Sequence, residues 1–381
     1  MQDSRAIIGR RSRLNPVSRE FTEKLEKLRE LMKKKRKAAA LVTRQPNFSW
    51  LACGAEARVA LNTDKASACW LVTKEDVYLL ANGIEMPRLK SEGISQLKYE
   101  PVTFPWHEPD GLLEAVKEIV DPKKLLSDSN DLVTRAYPEL FAPLRYSLSR
   151  DEVKRLRHLG KALEASISAT ANGIRVDESE NEIAAQMSAA AIAVGLTPVV
   201  VLVAVDERIR RFRHPLPTGK KLKRHAMLIM CARYQGLIAS MTRTVYFGDV
   251  PSALATKHKA ACTVDVCLQQ ATKEGAVTSE ILKGGIEQYR KVRYSKEWEA
   301  HHQGGPCGYL PREYIVNPST KIKVEAFQPF AWNPTVAGTK SEDTILVTNR
   351  GLDLITKSPD WPTVEIVLGK KKFNRYAILD R

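Results

Sequence analysis

Hydrophobic residues in the first part of the chain change between helical and strand-like spacing. Apolar residues recur every three or four positions over 20–36, which predicts an amphipathic helix. Short apolar runs separated by turn-prone residues follow, and they predict strands. Two further segments, 85–92 and 111–120, have the spacing of short helices. The predicted strands are 38–43, 48–52, 68–72 and 77–80.

The second part of the chain has one layout twice, in which two helices precede a set of strands. Ser149 with Glu152 forms a capping-box pattern that begins a long helix, and Asn172-Gly173 ends it. A second helix extends to Val194. The remaining predicted elements are strands at 199–205, 226–232 and 237–247, helices at 251–273 and 278–292, and strands and turns thereafter.

This layout is not the β-α-β alternation of a parallel sheet. It predicts a mixed α/β (α+β) protein with two domains, 1–147 and 148–381. A chain of 381 residues has ample length for two domains.

The composition is that of an ordinary globular protein, with 43% hydrophobic and 27% charged residues. The longest apolar runs fall far short of the roughly 20 residues that span a bilayer. No apolar segment follows the basic N-terminus, so we expect a cytoplasmic protein without a membrane partner. The six cysteines form no CxxC pair, which argues against a zinc ribbon or a redox pair and for reduced thiols.

The net charge of +16 is unusually high. Basic residues concentrate in two runs, 33–37 and 220–224. Aromatic residues do not interleave with either run, as a stacking platform for single-stranded nucleic acid requires. We therefore interpret both runs as solvated faces and expect no nucleic-acid partner, although the sequence leaves the purpose of the charge open.

Four segments resemble, in order, the motifs of the creatinase/aminopeptidase P/prolidase family. The resemblance extends over about 20–365. It implies a creatinase-like α/β domain followed by a domain with the pita-bread fold. The four segments are Arg213-His-Pro215, Arg233-Tyr-Gln-Gly236 followed by Met241-Thr-Arg-Thr244, His301-His-Gln-Gly-Gly-Pro-Cys-Gly308, and Gly338-Thr-Lys-Ser-Glu-Asp-Thr344.

The family binds two divalent metals through two Asp, one His and two Glu, and the metals activate a water molecule. Only one of these ligands, or at best two, is retained in this sequence. The resemblance therefore implies a divergent member with no metal and no other cofactor. The residues at the five positions are Ile229, Ser240, Gly305, Gln328 (Glu325 in a shifted alignment) and Glu342.

Two histidines of the family that are not metal ligands are retained as His214 and His301. Creatinase itself is a metal-free member that relies on histidine acid/base chemistry, and a neutral histidine can exchange a proton near pH 7. We expect His214, His301 and Glu342 to be catalytic, with Glu342 orienting one histidine.

Cationic and polar side chains accompany the histidines in the same motifs. Arginine and lysine suit an anionic group such as a substrate carboxylate. Arg243 has a structural alternative, which is to pair with Glu342. The expected substrate-binding residues are Ser240, Arg243, Arg312, Gln328, Asn333 and Lys340.

The leading functional hypothesis is a metal-independent, creatinase-like hydrolase or lyase. It would act on a carbon–nitrogen or similar bond of a small, anionic, amino-acid-like substrate. One alternative is a binding module that retains the fold without the chemistry, as in the peptidase-like domain of a FACT histone chaperone subunit. Another is an Xaa-Pro aminopeptidase or dipeptidase. By analogy with creatinase-like members, we expect a homodimer. The substrate and the bond cleaved stay open.

Overall fold

The computed structural model describes residues 16–133 and 135–381. These residues form a smaller N-terminal α/β domain and a larger C-terminal domain built on two four-stranded sheets. Among them, no helix is both long enough and apolar enough to cross a membrane.

The N-terminal domain is a five-stranded sheet flanked by helices, with strand order β4-β3-β2-β1-β5. The three central strands are antiparallel, and both outer strands add in parallel. Its elements are α1 (Pro16–Lys34), β1 (Ala39–Arg44), α2 (Gln45–Leu51), β2 (Lys65–Val72), β3 (Val77–Asn82), α3 (Glu85–Ser91), β4 (Glu100–Phe104), α4 (Gly111–Lys117), β5 (Leu125–Ser127) and α5 (Pro138–Phe141).

The predicted strand at 48–52 is wrong, because most of that segment belongs to helix α2. Pro46 lies in the first turn of the helix, where its missing N–H costs no hydrogen bond. Every residue of α2 is buried, and Phe48 stacks on Trp70 of β2 with ring centroids 5.4 Å apart. A short, fully buried apolar run fits either a helix or a strand, and here packing decides between them.

The C-terminal domain has the predicted repeated layout of two helices followed by strands. Its first half contains α6 (Arg150–Gly173), α7 (Glu180–Ala193), β6 (Thr197–Val205), α8 (Glu207–Arg211), β7 (His225–Tyr234) and β8 (Leu237–Tyr246). Its second half contains α9 (Ser252–Ala271), α10 (Thr278–Lys291), β9 (Gly304–Pro306), β10 (Pro329–Trp332), β11 (Thr335–Val336), β12 (Thr339–Lys340), β13 (Asp343–Thr348), β14 (Gly351–Leu354), β15 (Thr363–Leu368), β16 (Lys371–Tyr376) and β17 (Leu379–Asp380).

Capping boxes begin both helices of the first pair. The predicted box joins Ser149 to Glu152, and a second one joins Ser179 to Glu182. Strands β6, β7 and β8 form an antiparallel meander that β17 extends. The other sheet has the order β14-β13-β10-β9.

The two sheets of the C-terminal domain meet where β8 passes the start of β13. The backbone N–H of Thr242 donates to the carbonyl of Glu342 at 3.1 Å, and the backbone N–H of Ser240 donates to Oγ1 of Thr344 at 2.8 Å. Successive side chains of an extended strand point to opposite faces. Ser240 and Thr242 therefore share one face of β8, and Arg243 belongs to the other.

Buried ion pairs connect the two domains next to this junction. Lys24 of α1 contacts Glu20 at 2.6 Å and Glu152 of α6 at 2.8 Å. Arg145 forms a buried ion pair with Glu313. The carboxylate of Glu313 also accepts the backbone N–H of Tyr309 at 2.9 Å. The N-terminal domain thereby fixes the loop that carries the neighbouring residue, Arg312.

Candidate active site

Three histidines meet at the junction of the two sheets. His214 follows helix α8, and His301 and His302 follow a short 3-10 turn at Glu297–Ala300. The Nε2 atoms of His214 and His301 lie 3.0 Å apart, within hydrogen-bond distance. His301 is buried, whereas His214 is exposed. The structure thus brings together both predicted histidines, which are 87 positions apart in the sequence.

All three imidazoles favour the neutral form. Burial, followed by the positive charge of Lys340, lowers the pKa of His301 to about 2. Burial and then Arg312 lower the pKa of His302 to about 4. The pKa of His214 is also lowered, by burial and then by Lys340. At neutral pH the group therefore holds free nitrogen lone pairs that can accept a proton.

Glu342 lies beside the histidines and is enclosed by cations. Its carboxylate accepts hydrogen bonds from Lys340 Nζ at 2.7 Å, Arg312 at 3.0 Å and Thr242 Oγ1 at 2.7 Å. Burial opposes ionisation, but Lys340 and Arg312 outweigh it and hold the pKa of Glu342 at about 2. Two cations therefore face one carboxylate, which leaves an excess of one positive charge.

The hydrogen bonds of Glu342 differ from the predicted ones. None of them goes to a histidine, so Glu342 orients the two cations rather than an imidazole. The predicted pairing of Glu342 with Arg243 is also wrong. Arg243 lies on the opposite face of β8 and pairs with Asp343 at 2.9 Å. Its guanidinium also stacks over Tyr376 at 4.0 Å, so the structure does not bring Arg243 to the site.

The other predicted substrate-binding residues divide into two groups. Ser240 lies in the site, where its hydroxyl accepts from Arg312 at 3.4 Å and donates to the thiol of Cys231 at 3.0 Å. Gln328 and Asn333 are buried, but neither side chain hydrogen-bonds to a histidine or to Glu342. Gln328 instead accepts the backbone N–H of Glu325 at 2.9 Å. A substrate-binding role for Gln328 and Asn333 stays a prediction.

A two-metal site of carboxylates does not fit this arrangement. Both oxygens of Glu342 are bonded to cationic side chains, and the buried Ile229 and Gly305 offer no ligand atom. Gly305 has no room for a side chain, because a Cβ atom there would lie 2.7 Å from the backbone carbonyl of Tyr314. A histidine at this position would require the backbone to move.

The three histidines form a different potential metal site. Their ligand atoms lie within 4.8 Å of one another, and no other group of three His, Cys, Asp or Glu is this close in the described ranges. The environment opposes a divalent cation. Besides burial, the positive charge of Lys340 lowers the pKa of His301 and that of Arg312 lowers the pKa of His302, and the same charges repel a metal ion. The backbone N–H of Gly304 also occupies Nδ1 of His302, at 3.2 Å.

Two contributors to the site lie outside the set of site residues predicted from the sequence, and of these only His302 is a candidate there, as the neighbour of His301. Thr242 donates a hydrogen bond to Glu342, and the ring of His302 lies against that of His301 at a tilt of 35°, with centroids 4.6 Å apart. Strand alternation would have identified Thr242, because it lies two residues after Ser240 on a predicted strand. Adjacency to His301 was the only signal for His302.

The sequence is similar to proteins that are already known. Residues 24–157 match the Creatinase/Prolidase N-terminal domain. An uncharacterized peptidase from Staphylococcus haemolyticus is 22% identical over 349 residues, covering 78% of this chain and 96% of that protein.

Solved structures show that the chain has the pita-bread fold. The Xaa-Pro dipeptidase from Bacillus anthracis superposes with a TM-score of 0.72 at 19% identity, covering 89% of this chain and 98% of the other. The N-terminal domain of the FACT complex subunit SPT16 from chickpea (Cicer arietinum) superposes with a TM-score of 0.65 at 12% identity, covering 89% and 96%.

Proposed function

We propose that this chain, which belongs to the creatinase/prolidase family, is a metal-independent hydrolase or lyase. Its substrate is a small, anionic, amino-acid-like molecule, and it breaks a carbon–nitrogen or similar bond. One observation carries the proposal. Lys340 and Arg312 supply the positive charge beside Glu342, and a pair of neutral histidines lies next to them.

The histidine pair provides the proton transfer. In the hydrolytic version, the exposed His214 takes a proton from water while the water oxygen bonds to the substrate carbon. The protonated imidazole then gives this proton to the leaving nitrogen as the carbon–nitrogen bond breaks. His301 holds the ring of His214 through the 3.0 Å contact between their Nε2 atoms.

The two cations provide the electrostatic component. A tetrahedral intermediate carries a negative oxygen, and fixed positive groups in a partly dry site stabilise it. Arg312 keeps 12% of its side chain exposed, whereas Lys340 keeps 3%. Arg312 is therefore the cation that a substrate carboxylate contacts. The more deeply buried Lys340 contributes through its positive charge without direct contact.

Substitution of each histidine tests the mechanism. After a thermal-shift screen of amino-acid derivatives has supplied a substrate, His214→Asn and His301→Asn should each lower kcat by about 10²–10⁴. His107→Asn, on the exposed surface of the N-terminal domain, is the matched control and should leave kcat unchanged. Near-wild-type turnover by both site variants would show that the histidines are structural.

Metal analysis tests the independence from metal. The purified protein should contain well under one equivalent of Mn, Co, Zn or Fe, and chelators should leave Tm unchanged. Two tightly bound equivalents, with Mn-dependent cleavage of Xaa-Pro peptides, would instead favour the activity for which the Bacillus anthracis relative is named. One equivalent that His302→Asn abolishes would assign a metal to the three histidines.

A binding module is the second candidate function. It is favoured by the same contacts of Glu342, because this carboxylate already pairs with both cations, so neither cation lacks a partner when no substrate is bound. The FACT subunit domain has the same fold. If no small anion shifts Tm while a protein partner is retained in stoichiometric amounts, the binding module becomes the better proposal.

A further inference from the structure

A cavity of about 590 Å³ lies in the C-terminal domain, outside the histidine site. Four basic side chains line it, and only two acidic ones do. Its walls come from α8, the segment before β7, the start of α9 and the turn between β11 and β12. The charged lining residues are Arg210, Lys223, Arg224, Lys257, Asp206 and Glu207.

The acidic residues of this cavity are already engaged. The carboxylate of Asp206 accepts three backbone N–H groups, those of Lys223 at 2.9 Å, Arg224 at 3.0 Å and His225 at 3.1 Å. Glu207 pairs with Lys220 at 2.6 Å, at the protein surface. Neither carboxylate forms an ion pair with a basic residue that lines the cavity.

The basic residues of the lining, in contrast, form no ion pair with any described residue. In the described part of the chain, the guanidinium groups of Arg210 and Arg224 make no ion pair and no hydrogen bond. Lys257 donates only to the carbonyl of Ala337, at 3.3 Å. Arg210 and Arg224 are both exposed, and unpaired guanidinium groups in the lining of a cavity are suited to an oxyanion, which a guanidinium can bind with two parallel hydrogen bonds.

The start of helix α9 adds a further positive contribution. This helix has 20 residues, its N-cap is Pro251, and no side chain caps it. The first turn contains no acidic residue, and Pro251, Ala253 and Leu254 line the cavity. The N-terminal end of a helix carries a partial positive charge and unbonded N–H groups, which attract anions.

We propose that this cavity binds a small phosphate-bearing oxyanion, either inorganic phosphate or a phosphorylated small molecule. The volume is within the range of small-molecule sites. The bound group would lie against both segments that lead to the histidine site. Arg210 is on α8, which precedes His214, and Gly338 precedes Lys340 by two residues. A Cβ atom at Gly338 would lie 3.2 Å from Cγ of Arg210, so these two segments are in close contact.

Calorimetric titration of the full chain with inorganic phosphate, and separately with phosphoserine, tests the proposal. We expect saturable binding of one equivalent. The double variant Arg210→Gln/Arg224→Gln should weaken it at least tenfold. Tighter binding of phosphoserine than of phosphate identifies a phosphorylated molecule as the ligand, and equal binding identifies free phosphate.

A matched control removes the same charge elsewhere. Lys34→Gln/Lys35→Gln, at exposed positions beside the end of α1, should leave phosphate binding unchanged. Equal weakening in both double variants would assign the effect to the net charge of the chain and overturn the proposal. Absence of saturable binding would overturn it as well.

Hydrogen exchange tests the connection to the histidine site. Phosphate should slow exchange in residues 207–214 and 337–342 of the wild type, and the Arg210→Gln/Arg224→Gln variant should lose this protection. Saturable binding that changes exchange in neither segment would overturn the connection to the histidines. This readout requires no substrate, so its failure is distinguishable from failure of the proposed enzymatic function.

Discussion

Two buried charge clusters lie on opposite faces of the strands where the two sheets meet, and they differ in charge balance. The front cluster, beside the histidines, has two cations and one carboxylate. The back cluster has two cations and two carboxylates. The front cluster is Lys340, Glu342 and Arg312, and the back cluster is Arg243, Arg375, Asp265 and Asp343.

The back cluster is closed and neutral. Arg375 contacts Asp265 and Asp343 at 2.6 Å each, and Arg243 contacts Asp343 at 2.9 Å. None of the four side chains is more than 4% exposed. Buried charges that are fully paired hold structure together, since removing one member leaves another without compensation. This cluster joins α9, β8, β13 and β16.

The front cluster is unbalanced and partly open. Its excess positive charge lies next to the exposed His214, and Arg312 reaches the surface. Both clusters are built from buried cations and carboxylates, and the adjacent residues Glu342 and Asp343 belong to the front and the back cluster respectively. Charge balance and access to solvent, rather than the presence of buried charge, therefore distinguish a site prepared for an anion from a structural ion-pair network.

The largest expected effect on stability comes from removing one cation of the back cluster. Arg375→Gln leaves Asp265 and Asp343 with one cation between them, and we expect the free energy of unfolding to fall by about 3–5 kcal/mol. Urea denaturation at neutral pH measures this change. A loss below about 1 kcal/mol would show that the back cluster is not a structural network.

An intermediate effect on stability is expected when the pH is lowered, because His302 lies beside the front cluster. His302 has a pKa of about 4 when folded and about 6.5 when unfolded, so the unfolded chain binds more protons between these values. The free energy of unfolding should therefore fall as pH drops from 6.5 to 4. The contribution is about 2 kcal/mol, allowing for the partial exposure of His302. Denaturation of wild type and His302→Asn at pH 7.5, 6 and 5 measures it.

The matching control for the pH experiment is His107→Asn. We expect this variant to follow the wild-type pH dependence, whereas His302→Asn should lose part of the slope. Identical slopes for all three proteins would contradict a depressed pKa at His302, and with it the cationic environment of the front cluster.

Local sequence signals predicted much of this fold, and contacts between distant segments explain what they missed. The capping box at Ser149 and the strands β6 to β8 depend on neighbouring residues, and both are present. The pairing of Arg243 with Asp343 joins residues 100 positions apart. Both Asp343 and Glu342 are possible ion-pair partners of Arg243 in the sequence. Only strand alternation distinguishes them, because it places Arg243 and Ser240 on opposite faces of the strand.

The composition of the front cluster could be predicted only in part. His214, His301, Glu342, Arg312 and Lys340 were all expected near one another from the motif resemblance. The contacts among these five side chains could not be predicted, because a motif gives the identity of a residue but not the direction of its side chain. The depressed histidine pKa values result mainly from burial, which exists only after the sheets have packed.

The smallest effect on stability is expected from Lys340→Gln, which removes the excess cation at the front. Glu342 would still accept from Arg312 at 3.0 Å and from Thr242 at 2.7 Å, so no buried charge loses its last partner. The free energy of unfolding should change by less than about 1 kcal/mol, in contrast to Arg375→Gln.

The pKa values of the histidines should respond to Lys340→Gln instead, because Lys340 is the largest cause after burial of the low pKa of both His214 and His301. Removing a cation favours protonation, so both pKa values should rise, and histidine ring signals followed by NMR from pH 8 to 4 measure the change. A stable variant whose histidines titrate as in the wild type would mean that the charge of Lys340 does not reach them, and the distinction between the two clusters would then depend on exposure alone.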